Sequence, residues 1–209
     1  MSIATRFPIT YAERAELGEA LVRFNASWDD YIDLRAAAEY RLEYDDNQII
    51  TMSYASDPHE TIVINIGALL NQIFFDADEI SVKGSNRPIY IPQFKSEFNP
   101  DVQVVKGKPQ FKALRKGVNA NLNPWLVVEV LSKSTRNRDW AEKFPKYKKI
   151  SSLQHILYVE QDYPFVSVFH RQGNTAVWEN IDYDNLEQSL MLENQEIKLA
   201  HIYRKILFT

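Results

Sequence analysis

The run WLVVEVL, Trp125 to Leu131, followed by SKSTRNRDWAEKFPKYKKI, Ser132 to Ile150, sets the reading of this chain. An almost unbroken apolar run of this length marks a strand buried on both faces. Glu129 interrupts it, and alternation along a strand turns Glu129 the same way as Val127 and Leu131, into a mainly apolar layer. An ionised carboxylate there is costly unless it is paired or binds a metal. The bland partner is a Lys or Arg from the segment that follows. That segment predicts a helix over about Asn137–Ile150, with Asp139, Lys143 and Tyr147 four apart on one face. An exposed Asp–Lys pair of that spacing stabilises by only a few tenths of a kcal/mol. The chain nevertheless returns from Glu129 to this helix within about ten residues, so a lysine there can reach back over the strand end. Pro145 removes a backbone donor and predicts a bend beside Lys143, with Lys146 as the fallback.

A second acid leads another strand. Asn99-Pro100-Asp101 precedes a strand over Asp101–Lys106. Ser27 predicts the cap of a helix from Trp28 to about Ala37, with Asp30 completing a capping box. Strands at Tyr40–Tyr44 and Gln48–Ser53 flank the turn Asp45-Asp46-Asn47. Asp57 as cap, Pro58 and Glu60 start a helix to about Phe75, whose Ile62, Ile66, Leu69 and Ile73 form one apolar face. Further strands are expected near Glu79–Lys83, Arg87–Ile91, His155–Gln161, Phe165–Arg171 and Ala176–Glu179, then a strand pair and a last apolar turn. Interspersed strands and helices give an α/β (α+β) class with a mixed central sheet flanked by helices.

Composition narrows the function. The 209 residues, 45% hydrophobic and 25% charged, suit a single globular domain, 1–209, with a core over about 27–207 and an N-terminal extension at 1–26. Without cysteine, disulfides, thiolate zinc sites and a cysteine nucleophile are excluded, which fits a cytoplasmic protein. No apolar run approaches the roughly 20 residues of a membrane span. A net charge of −4 argues against coating DNA by bulk charge. It leaves room for a locally basic groove, and two basic runs, Lys106–Lys116 and Lys133–Lys149, supply candidates. On composition alone such runs are solvated faces.

Pro100-Asp101, Glu129 in a later apolar strand and a nearby lysine resemble the PD-(D/E)XK nuclease superfamily. More narrowly, VVEVLSKSTRNRDWAEKFPKY is similar to the Uma family of putative restriction endonucleases. EYDDNQIITM at Glu43–Met52, His59 at a helix start and Ala200-His201-Ile202-Tyr203 match the family elsewhere, so the resemblance spans roughly Trp28–Leu207. Where the superfamily places a lysine two residues after the acid, this chain has Leu131, and the role passes to Lys143. Asn47 replaces the hairpin glycine of the family, and Asn tolerates the left-handed turn.

The resemblance implies a restriction-endonuclease-like fold and a Mg²⁺- or Mn²⁺-dependent endonuclease acting on DNA, in the form of a homodimer. Asp101, Glu129 and the backbone carbonyl of Val130 would hold the ion, and Lys143 would orient water or stabilise charge on phosphate. Glu43 is a further acid, and His59 a neutral imidazole at a positive helix terminus. Lys133, Arg136, Arg138 and Lys146 would meet the nucleic-acid backbone. Three other readings compete: a catalytically inactive nuclease-fold module that binds metal or nucleic acid, a glycosidase using an acid pair, and an interaction protein whose carboxylates are core salt bridges. Scattered tryptophans weigh against the glycosidase.

Overall fold

A computed structural model describes residues 7–18, 21–52, 54–115 and 118–208. Ser53, the expected end of one strand, Lys116 of the first basic run and residues 1–6, 19 and 20 of the N-terminal extension lie outside the described residues. In chain order the helices are α1 (Tyr11–Glu16), α2 (Trp28–Ala37), α3 (Asp57–Ile73), α4 (Arg136–Arg138), α5 (Phe144–Tyr147) and α6 (Leu199–Ile202). A π-helical turn, Asp139–Lys143, joins α4 to α5. The first strands are β1 (Val22–Asn25), β2 (Leu42–Asp45), β3 (Gln48–Thr51), β4 (Ile80–Gly84), β5 (Ile89–Ile91), β6 (Ser96–Phe98), β7 (Val102–Lys106) and β8 (Phe111–Arg115). After them come β9 (Val118–Asn121), β10 (Leu126–Leu131), β11 (His155–Glu160), β12 (Val166–Arg171), β13 (Trp178–Tyr183), β14 (Ser189–Leu192) and β15 (Gln195–Lys198).

These residues gather into two compact units, each built from separated segments. One takes the described residues of Met1–Tyr54, Asn86–Asn99 and Phe111–Leu122. Its sheet runs β1-β3-β2-β6-β5-β9-β8. Asp46 and Asn47, at φ of 48° and 57°, make the tight β2–β3 turn, the left-handed pair that a two-residue hairpin needs. Ser27 caps α2 with Asp30 in the reciprocal box. Tyr31, Ile32 and Leu34 of α2 then pack on Leu42, Tyr44 and Ile49. Strands β6, β8 and β9 were not expected, because SEF, FKALR and VNAN are short and carry little apolar alternation.

The other unit takes Ala55–Ser85, Pro100–Gln110 and the described residues of Asn123–Thr209. Its six-stranded sheet runs β13-β12-β11-β10-β7-β4. β10 and β11 pair in parallel and every other neighbour pairs antiparallel, the mixed sheet expected from the sequence. All six residues of β10 are buried. Leu126, Val128 and Val130 share one face with Val102 and Val104 of β7 and Leu157 and Val159 of β11. Onto it α3 lays Ile62, Ile66 and Leu70, the third in place of the expected Leu69, which is partly buried beside the core together with Ile73. At about 25 cal/mol per Å² of apolar surface, this layer is the main driving force of the unit. β14 and β15 form a hairpin that feeds α6, and their Leu190, Leu192 and Ile197 join the same core. Glu129 occupies the opposite face, which Trp140, Phe144, Tyr158 and Phe169 cover with tilted and edge-on rings. Among the described residues, no helix is long and apolar enough to cross a membrane.

Candidate acidic site

Two strand ends bring the acids together. The β7–β10 ladder pairs Val104 with Leu126, Gln103 with Val127 and Val102 with Val128. One further step of that register sets Asp101 opposite Glu129. Residues directly opposite in an antiparallel pair project to the same side with their Cβ atoms roughly 5 Å apart. Asp101 closes the ladder itself: its Oδ2 accepts the Val130 N–H at 2.8 Å. Thus the group of Val130 that touches Asp101 is its amide.

His59 meets Asp101 from α3. The helix starts one residue earlier than expected, with Ser56 as the cap accepting the His59 N–H at 3.3 Å. Ser56 also donates to Gln161 at 2.8 Å, which explains why it, rather than Asp57, takes the cap. His59 therefore sits in the first turn, and its Nε2 lies 3.3 Å from Asp101 Oδ2. Burial alone would raise the Asp101 pKa. The His59 hydrogen bond and charge, the Val130 amide and the Lys143 charge outweigh burial and hold the carboxyl below its usual range. The Asp101 side chain keeps 16% exposure, against 4% for Glu129, so Asp101 is the solvent-facing acid of the two.

Lys143 reaches Glu129, and Pro145 is part of the reason. The expected straight helix is broken into α4, the π turn and α5. In the π turn the Phe144 N–H bonds back to the Asp139 carbonyl, five residues earlier. Pro145 follows directly as the second residue of α5, where the shifted hydrogen-bond ladder accommodates a residue without an N–H. Lys143 Nζ then sits 3.1 Å from Glu129 Oε1 and 3.0 Å from Asp139 Oδ1. Tyr147 donates to the same Glu129 oxygen at 2.7 Å. The Asp139–Lys143 pair is no surface pair, since its side chains are 3% and 1% exposed.

The remaining candidates differ in their surroundings. Glu43 is on β2 of the other unit, fully buried, with its Oε1 accepting the Asn99 N–H at 2.7 Å. Lys133 is exposed and Lys146 half-buried. Arg136 is half-buried and held by Glu160. Arg138 departs from the expected rim: it is 2% exposed, with its Nε 3.7 Å from Glu142. Sequence reasoning missed Asp139 as a buried partner and Tyr147 as a hydrogen-bond donor to Glu129. A signal for both was present, since Trp140 and Phe144 line an apolar face beside Asp139 and Lys143. A helix apolar on one side of a charged pair pulls that pair toward the sheet.

The Uma2 family profile, described as "Putative restriction endonuclease", matches residues 28–200. Two uncharacterized proteins of Synechocystis sp. are similar along most of their length. One is 31% identical over 172 residues, 82% of this chain and 90% of the relative. The other is 28% identical over 184 residues, 86% of this chain and 92% of the relative. Among solved structures, the crystal structure of a "putative nuclease" from Anabaena variabilis superposes with a TM-score of 0.63 at 14% identity, covering 82% of this chain and 96% of that one. At that identity the likeness establishes a shared fold. The family match over 28–200, together with the relative that is 31% identical, establishes that the chain belongs to the Uma2 family of restriction-endonuclease-like proteins.

Proposed function

We propose that the chain is an endonuclease that hydrolyses phosphodiester bonds of DNA with Mg²⁺ or Mn²⁺. The observation that carries this reading is that Asp101, next to β7, accepts the Val130 N–H of β10 at 2.8 Å beside Glu129, with the Lys143 ammonium 3.1 Å from Glu129. The donor set fits a hard divalent ion: two carboxylates, one of them solvent-facing, beside main-chain groups at Val130. Among the described residues, no cluster of three or more His, Asp and Glu side chains is arranged to hold an ion. Mg²⁺ suits such a site because it keeps several waters and needs only one or two carboxylates. In this reading Asp101 and Glu129 would hold the ion, with the Val130 carbonyl as the main-chain donor. When bound, the ion supplies Lewis acidity toward phosphate and lowers the pKa of a bound water.

The residues of the chain do the rest. Lys143 presents a fixed positive charge where negative charge develops on the phosphate oxygens. Tyr147 and Lys143 together orient the Glu129 carboxylate, and Val130 and His59 orient Asp101. Lys133 and Arg136 lie just beyond the β10 end and suit contacts to the nucleic-acid backbone, which position without reading sequence.

The test is cleavage of plasmid, linear duplex and single-stranded DNA with Mg²⁺ or Mn²⁺. EDTA is expected to abolish cutting, and Asp101→Ala to slow it by about 100-fold or more. Metal binding that depends on Asp101 without cleavage of any substrate would make the chain a binding module of the same fold. Neither binding nor cleavage would reduce the acids to salt bridges.

A further inference from the structure

Lys143 is shared by two acids that arrive from different places. Glu129 comes from the sheet, at 3.1 Å, and Asp139 from the π turn, at 3.0 Å. Asp139 is mounted more firmly than helical spacing requires. Its carbonyl closes the π turn by accepting the Phe144 N–H, and it also accepts the Tyr158 hydroxyl at 3.0 Å. Tyr158 stands opposite Glu129 in the β10–β11 register. The residue that holds Lys143 from the helix side is thus tied to the strand next to the one that carries Glu129. Burial pushes the Tyr158 hydroxyl well above its usual range, with the Glu129 and Asp139 charges acting the same way, so it stays a donor.

Glu129 has two demands on one carboxylate. Its Oε1 already accepts from Lys143 and Tyr147, and in the nuclease reading the same carboxylate serves a cation. A long lysine side chain released by Glu129 loses its aim unless a second anchor remains. We propose that Asp139 is the positioning residue for Lys143, keeping the ammonium fixed beside the Asp101–Glu129 pair when Glu129 turns to its own ligand. The use of that fixed charge rests on the proposed nuclease activity. The mount itself belongs to the metal-free protein and is measurable there.

The experiment uses the full chain with ¹⁵N-labelled lysine, free of metal. A buried ammonium held by carboxylates exchanges slowly, and its Nζ–H signal is assigned by its loss in Lys143→Met. The signal is expected to persist in Glu129→Gln, to vanish in Asp139→Asn and to return in Asp139→Glu. Calorimetry with Mn²⁺ is expected to give affinities within about twofold for wild type and Asp139→Asn, while kcat for DNA cleavage falls about 10–100-fold at nearly constant KM. A signal that survives Asp139→Asn and disappears in Glu129→Gln would overturn the assignment. A large loss of Mn²⁺ affinity in Asp139→Asn would also overturn it, by making Asp139 a ligand. If the wild type cuts no substrate, the nuclease reading fails, while the Nζ–H comparison still decides the role of Asp139.

Discussion

Replacing Lys143 by Met tests the buried charge cluster most directly. Methionine has similar length and fills the same space, so the change removes a charge more than a volume. Glu129 and Asp139, both buried, lose the ammonium that sits 3.1 and 3.0 Å from them. Removing one partner of a buried pair costs about 3–5 kcal/mol, because the orphaned charge keeps its desolvation penalty. The lower half of that range is expected, since Tyr147 still donates to Glu129 at 2.7 Å. Glu129→Gln is a contrasting perturbation. Lys143 keeps Asp139, and the glutamine carbonyl still accepts from Tyr147, so about 1–2 kcal/mol is expected. In the double variant the two changes should be non-additive by about 1 kcal/mol or more. Urea unfolding at fixed pH reads all three differences from midpoint and slope. In a chain of this size, 3 kcal/mol also lowers the thermal midpoint by roughly 6–12 °C. A Lys143→Met loss below about 1 kcal/mol, additive with Glu129→Gln, would refute the argument: the ammonium would then be solvated in solution rather than locked between two acids.

Two further outcomes follow from other parts of the same unit. His155 packs edge-on to Trp125, its Nδ1 lies 2.8 Å from that of His170, and burial, the His170 charge and the Lys106 charge push its pKa down to about 3. The folded pKa lies below the unfolded value of about 6.5, so this contribution is complete at neutral pH and is lost as pH falls toward 3. Stability should drop by about 2 kcal/mol between pH 6.5 and pH 5 from this group, and His155→Leu should flatten the slope measured by urea unfolding across that window. Pro145→Ala restores an amide that a straight α-helix could use. Cleavage is expected to fall about tenfold or more, because small displacements of a positioned charge are costly, with the thermal midpoint changed by only a few degrees. Wild-type cleavage in this variant would show that Pro145 does not set the reach of Lys143.

Much of the architecture was legible in the chain because its signals are local. The run WLVVEVL announced a doubly buried strand, and β10 is one. The four-three-four spacing of Ile62, Ile66, Leu69 and Ile73 announced α3, and Ser27 with Asp30 announced α2. These follow from periodicity and capping chemistry, which involve neighbours within one or two turns. The boundaries that slipped were those settled by a distant partner, such as the Ser56 cap, which Gln161 engages from 105 residues away. The short strands β6, β8 and β9 carry too little pattern to be seen without the sheet that pairs them.

For the acidic site, the sequence by itself determined which residues had to be accounted for. A carboxylate inside an apolar strand and a Pro-Asp pair at a strand start needed partners on energetic grounds alone. What only the tertiary structure decided was who those partners are. Register across β7 and β10 put Asp101 opposite Glu129, and β10 supplied the Val130 amide. The π turn, a response to Pro145 within a packed helix, placed Lys143 between Glu129 and Asp139 and turned an apparent surface pair into a buried one. Packing also left Arg138 2% exposed, away from the rim where the family resemblance had set it. Spacing along a chain fixes which side chains share a face. Whether that face meets water or a sheet depends on packing between elements far apart in sequence.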